Sequence, residues 1–205
     1  MAAAVTREKI LQCGLNLLSE AGLSGVTIGV LAEHAGMSKS GLFAHFRSKE
    51  DVQIALLVHM ADVAARHVVE PSMRAAGGLP RLKALVNRWL GWPAKAGLRG
   101  GCPVAAAMFE LDDTEGNVRD EVVRMESHWR GLLTELAREA VACGHLRRDL
   151  DLEQFVWELC GIYLSHHVSH RFLRDARSAA RARSAFIALL RRAQPAARVN
   201  AAGAA

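Results

Sequence analysis

The sequence predicts an all-α protein of about nine helices, a short three-helix head followed by a larger helical body. Three observations carry this. Apolar residues recur three and four apart in one segment after another, and no run alternates with the period of two that a strand needs. Glycine and proline fall between those segments, at Gly77–Gly78, in the loop from Gly97 to Pro103 and at Gly144. Residues 27–51, TIGVLAEHAGMSKSGLFAHFRSKED, read as two short capped helices joined by a glycine turn.

Taken in order, the first helix spans Thr6 to Ala21, buries Ile10, Cys13, Leu17 and Leu18, and stops at Gly22. Thr27 caps a second helix whose apolar positions are Val30, Leu31 and Ala35, and Gly36 ends it in the left-handed conformation. Ser38 caps a third, Lys39 to Phe46. Leu42 and Phe46 share its inner face, and Lys39, Ser40, Ala44 and His45 lie opposite with no acid among them. Two short helices around a tight turn form a helix-turn-helix, whose second helix enters the DNA major groove. Ser48 opens a long helix, with Asp51 as its capping-box partner, that runs to Val69 and stops before Pro71. It is the only continuous covalent link between the head and everything downstream.

Further helices are expected over 79–96, 103–112, 117–143, 151–173 and 176–193, the last two separated at Arg174–Asp175. The division is thus a helix-turn-helix domain over 1–47, a helical body over 48–193 and a disordered tail, QPAARVNAAGAA, over 194–205. Leu152, Phe155, Val156, Leu159 and Tyr163 form an apolar stripe, as do Ala182, Phe186, Leu189 and Leu190. Pairing both with their symmetry mates would give a four-helix dimer interface.

Composition narrows the class. No apolar run approaches the roughly 20 residues that span a bilayer, and MAAAVTREKI lacks a secretory signal's apolar stretch, so a cytoplasmic protein without a membrane partner is expected. Cys13, Cys102, Cys143 and Cys160 are scattered without a CxxC pair, which suggests neither zinc nor a disulfide framework. The net charge is +5, yet residues 1–60 are balanced, 61–173 sum to −1 and 174–205 to +6. Bulk charge therefore does not mark a DNA surface; the local set Lys39, His45, Arg47 and Lys49, without a carboxylate over 37–49, does. No nucleophile elbow, phosphate-binding loop or HExxH is present, and no enzyme or cofactor is implied. In SHHVSH, His166 and His170 are spaced to chelate a metal, but no cysteine or carboxylate follows at matching spacing within that helix. No metal site is expected here.

From Thr6 to about Val58 the chain resembles the DNA-binding domain of the tetracycline-repressor (TetR) family of bacterial transcription regulators. The likeness rests on REKILQCGLNLLSEAGL followed by T-I-x-x-L-A-E-H-A-G-M-S-K-S-G-L-F-x-H-F-x-S-K-E-D. It implies that Thr27 and Lys49 grip phosphates at two helix starts and that His45 touches the backbone. Lys39, Ser40, Gly41 and Ala44 take the positions aimed at base edges, where only Lys39 can bond guanine O6 and N7 strongly. Phe43 stands where the family more often has tyrosine and lacks its phosphate-binding hydroxyl, so base readout should be sparse and DNA shape should carry more. GGCPVAAAMFELDD resembles the start of the sixth helix in one branch of the family. In a member, the body would enclose a ligand cavity with the long fourth helix as one wall. Trp89, Trp92, Met108, Phe109, Met125, Trp129 and Trp157 are the candidates to line it. The implied function is a homodimeric repressor of a palindromic double-stranded operator, released by a small apolar or aromatic effector. The alternatives are a regulator without an effector, or a helical adaptor.

Overall fold

The structure is a computed structural model that describes residues 2–196. Ten helices and no strand occur among the described residues. They are α1 (Ala2–Gly25), α2 (Ile28–His34), α3 (Lys39–Phe43), α4 (Lys49–Met73), α5 (Leu79–Trp89), α6 (Trp92–Lys95), α7 (Pro103–Glu110), α8 (Asn117–Ala142), α9 (Leu152–Arg171) and α10 (Ser178–Ala193). The tail expected over 194–205 lies, from residue 197 onward, outside the described residues.

The head closes around one point. A Cβ on Gly14 of α1 would sit 2.8 Å from Leu56 Cδ2 of α4 and 2.9 Å from Leu31 Cδ1 of α2, so three helices meet where there is no side chain. Ile10, Leu18, Leu31, Leu42, Phe46 and Leu56 are buried there. The Arg7 guanidinium lies over the Phe46 ring, 5.1 Å from its centroid. The caps form as the sequence suggests: Thr27, Ser38 and Ser48 accept from the backbone N–H of Val30, Gly41 and Asp51. Gly36, at φ 64°, lets Met37 N–H reach the carbonyl of Ala32 at 2.9 Å and ends α2. Asp51 differs from a standard capping box. Its carboxylate accepts from Arg47 N–H at 2.9 Å, one residue before the cap.

Several boundaries move for identifiable reasons. Regular helix in α3 ends at Phe43 and not Phe46, because His45 N–H turns to the carbonyl of Leu42, three residues back. Pro71 does not stop α4. A π-helical turn over Ala65–Val69 precedes it, and Pro71 falls in the first turn of the closing segment Glu70–Met73, where its missing N–H is not needed. The helix expected over 79–96 breaks at Gly91, in the left-handed region, into α5 and α6. Lys49–Met73 also corrects the reading of apolar runs: by length and composition it is a rod that could cross a bilayer. Val52, Leu56, Leu57, Met60, Val63 and Val68 spend that apolar character on protein core.

The dimer stripes need a larger correction. Phe155, Val156, Leu159 and Tyr163 of α9 and Ala182, Phe186, Leu189 and Leu190 of α10 are buried against each other and the body within one chain. They are not available to a partner. The faces turned outward carry Trp157 and Val168 of α9, Phe172 at its C-cap and Ile187 of α10.

Candidate nucleic-acid interface and internal cavity

Thr27, Lys39, Ser40, Phe43, Ala44 and Lys49 are exposed, and Gly41 and His45 are half-buried. Leu42 and Phe46, facing the other way, hold α3 to the head. Lys39 is less free than its exposure suggests. A Cβ on Gly29 of α2 would meet Lys39 Cε at 3.2 Å and Nζ at 3.6 Å, so the stem lies across α2 and the ammonium sits beside the Thr27 end. In this conformation Lys39 and Thr27 form one polar patch at the start of α2.

The body holds a partly open cavity of about 500 Å³. Its walls come from α4 and its π-helical turn (Met60, Ala64, Val68), from α7 (Val104, Ala105, Met108), from α8 (Met125, Glu126, Trp129) and from α9 (Cys160, Tyr163). Of the residues expected to line a pocket, Trp89, Trp92, Met108, Met125 and Trp129 do. Phe109 and Trp157 do not. Their side chains are 56% and 65% exposed, because each stands on the outward side of a helix whose inner side faces the cavity.

The aromatic wall is rigid. The Trp89 ring stacks on Tyr163 at 4.1 Å and 9°, Trp129 meets Trp89 at 5.0 Å and 60°, and Trp92 Nε1–H donates to Tyr163 Oη at 3.1 Å. Burial pushes the Tyr163 hydroxyl well above the usual range and the Cys160 thiol up to about 11, so both are neutral at pH 7. Burial also raises Glu126, against the opposing pull of Arg130, whose Nε donates to Oε1 at 2.7 Å.

Known proteins match both parts. A family model described as bacterial regulatory proteins, tetR family, matches residues 10–56, and one described as a tetracyclin repressor-like C-terminal domain matches 78–186, more than half of the chain. This chain belongs to the TetR family. It is a DNA-binding transcriptional regulator. The transcriptional regulator AcuR of Cereibacter sphaeroides is 27% identical over 150 residues, covering 73% of this chain and 68% of that protein. A TetR regulator from Chloroflexus aurantiacus has the same fold, with a TM-score of 0.81 at 22% identity over 93% of this chain and 96% of that one. So does FadR from Bacillus subtilis, solved with stearoyl-CoA, with a TM-score of 0.72 at 16% identity over 89% and 97%.

In this TetR protein the head and the cavity are joined by more than α4. At Gly22 (φ 68°, ψ −172°) α1 kinks, which frees the next backbone amides. The Glu110 carboxylate, at the end of α7, takes them: Leu23 N–H donates to Oε1 at 3.1 Å and Ser24 N–H to Oε2 at 2.9 Å. The carbonyl of Leu23 accepts from Gln53 Nε2 of α4 at 2.7 Å. On the other side of α7, Gly101 N–H donates to the carbonyl of Ser19 at 2.9 Å and Gly100 N–H to its hydroxyl at 3.1 Å. A Cβ on Gly100 would lie 1.8 Å from that carbonyl oxygen. Both flanks of α7 are therefore tied to the last turns of α1.

Sequence reasoning missed this latch, because Glu110 is 88 positions from Gly22 and no local spacing links an acid to a distant kink. Tyr163 was recoverable as a cavity residue. It lies three from Cys160 and is the only tyrosine in the chain, but it was spent on the dimer stripe. The His166 and His170 rings stack at 5.6 Å, burial lowers the affinity of His166 and His167 for protons, and no group of three ligands suited to a metal occurs among the described residues.

Proposed function

We propose that this chain is a cytoplasmic homodimeric repressor that binds a palindromic operator and releases it when a small, largely apolar effector enters the cavity. The observation that carries the reading is shared walls. α4, continuous with the head, and α7, tied to α1 at both flanks, both line the same space. A guest that displaces either helix moves the head as a unit, because Leu42 and Phe46 bind α3 into its core. A volume of about 500 Å³ falls in the range of small-molecule sites, and the FadR neighbour solved with stearoyl-CoA gives a precedent for a ligand-bound protein of this fold. Shifting the population from 1:99 to 99:1 requires the effector to prefer the released state by about 10⁴-fold, or roughly 5.5 kcal/mol. The deciding experiment incubates the protein with fragmented genomic DNA and screens compounds for release. One or a few palindromic fragments, freed by a compound that also quenches tryptophan fluorescence, is the expected result. A quencher that leaves operator affinity unchanged breaks the linkage and the reading with it.

Within this reading Thr27, Lys49 and His45 position the backbone, while Lys39, Ser40, Gly41 and Ala44 face base edges, with Phe43 adding apolar contact. Lys39 must swing off Gly29 to reach a guanine. Lys49→Ala should weaken binding to every sequence and lower the salt slope by roughly one unit, whereas Lys39→Ala should cost about 1–3 kcal/mol at a single base pair. Filter binding at several salt concentrations on operator and random DNA checks both. Equal losses on the two DNAs for Lys39→Ala would show that it stays beside Thr27 as a phosphate contact.

The outward faces of α9 and α10 supply the dimer surface. Trp157, Gly161, Val168 and Phe172 lie on one stripe of α9, and Ser184, Ile187 and Ala188 are exposed on α10. A two-fold pairing there sets half-sites about 34–36 Å apart or a multiple of that. Sedimentation should give twice the 22.2 kDa chain mass at micromolar concentration, and Trp157→Arg with Ile187→Asp should give monomers. A dimer that survives both substitutions places the interface elsewhere.

A further inference from the structure

The cavity's charged groups are unevenly placed, and this bears on what it binds. The inference rests on the effector reading above. Four ionisable side chains other than cysteine and tyrosine border the space: Asp62, Arg124, Glu126 and His128. Arg124 is turned outward, its side chain 65% exposed and its guanidinium spent on both oxygens of Glu121. His128 and Asp62 are exposed at the rim. Only Glu126 is a largely buried charge, with its side chain 20% exposed. Arg130 engages Oε1 alone and is not part of the wall; Oε2 accepts no hydrogen bond among the described residues. Glu126 also stands one turn from Trp129 on α8 and borders the same space as Cys160 and Tyr163 of α9. A carboxylate with an open oxygen thus adjoins a fixed cluster of aromatic faces, the arrangement that attracts a cation through both charge and ring quadrupoles.

We propose that the cavity takes a cationic guest with an apolar body, an alkyl- or arylalkyl-ammonium compound whose head sits between Glu126 and the Trp89–Trp129–Tyr163 cluster. The methionines and aliphatic residues of α4 and α7 take the body, and Asp62 at the rim favours entry of a positive charge. Such a guest differs from an acyl chain on an anionic carrier.

Isothermal titration of the full-length protein with three probes tests this: (4-phenylbutyl)trimethylammonium, its neutral tert-butyl isostere, and 5-phenylpentanoate. The cation should bind about tenfold or more tighter than the isostere, and the carboxylate weakest. Glu126→Gln should shrink the margin between cation and isostere to about threefold or less. Arg130→Gln should widen it by freeing Oε1, and this keeps the test intact if Glu126→Gln does not fold. Equal binding of cation and isostere, or tightest binding of the carboxylate, overturns the proposal and leaves the cavity as an effector site. If none of the three binds while the operator is still bound, the cationic-guest proposal falls alone, since the effector reading is decided by release of the operator in the compound screen.

Discussion

Phe46→Ala should remove about 3–5 kcal/mol of stability and abolish operator binding, the largest single loss expected from a substitution in the head. The ring is 1% exposed and among the largest fully buried side chains of the chain. It holds α3 against α1, and the Arg7 guanidinium at 5.1 Å from its centroid closes the outer side. Truncation opens a void in the core of the head, and the small head has little else with which to collapse into it. Arg7 would lose its ring face as well, a further ~0.5–1 kcal/mol. Thermal unfolding followed by circular dichroism should show an early transition from the head ahead of the body. A single transition shifted by under 1 kcal/mol would mean that α3 is held by something other than this core. Phe46→Leu, which keeps most of the volume, should recover much of the loss.

The head was legible in the sequence because its constraints are local. Caps at Thr27, Ser38 and Ser48, the left-handed Gly36 and the Leu42/Phe46 spacing all act within a few residues, and each formed with its expected partner or one residue away. Helices in the body were legible from the same periodicity. What α9 and α10 pack against was not. An apolar stripe states that a face is buried and not whether the cover is another part of the chain or a second copy. Tyr163 and Leu159 were therefore assigned to a partner when they belong to the core. Phe109 and Trp157 erred in the opposite sense: large aromatics suggested a lining, yet both point outward. Glu126 carried no local signal, since a glutamate amid arginines on α8 reads as a solvated face until the fold turns it toward Tyr163. Pro71 misled for a third reason, because the π-helical turn that accommodates it has no sequence signature.

Gly22→Ala should cost about 2–6 kcal/mol and should also change operator affinity, although Gly22 touches neither the DNA face nor the cavity. The backbone at φ 68° and ψ −172° lies in a region essentially reserved for glycine, where an alanine costs about 1–3 kcal/mol. The new Cβ would fall 2.1 Å from Glu110 Oε1, so the carboxylate must withdraw. Leu23 N–H then loses a charged acceptor in a half-buried position, a loss of roughly 1–3 kcal/mol, while the exposed Ser24 N–H turns to water at smaller cost. The consequence for regulation follows from where Glu110 sits. Without that clasp α7 keeps the Gly100–Gly101 bonds to Ser19 and its packing against α1, so motion of the head is passed to α7 less tightly. Glu110→Ala isolates this part, since it breaks the clasp and leaves the α1 backbone unstrained. The two substitutions share one interaction, so together they should cost less than their sum. Chemical denaturation gives the stability cycle, and titration of operator DNA with and without a bound cavity probe gives the coupling. The latch is refuted if Glu110→Ala leaves unchanged the ratio of operator affinities with and without the probe, for then the clasp carries none of the signal.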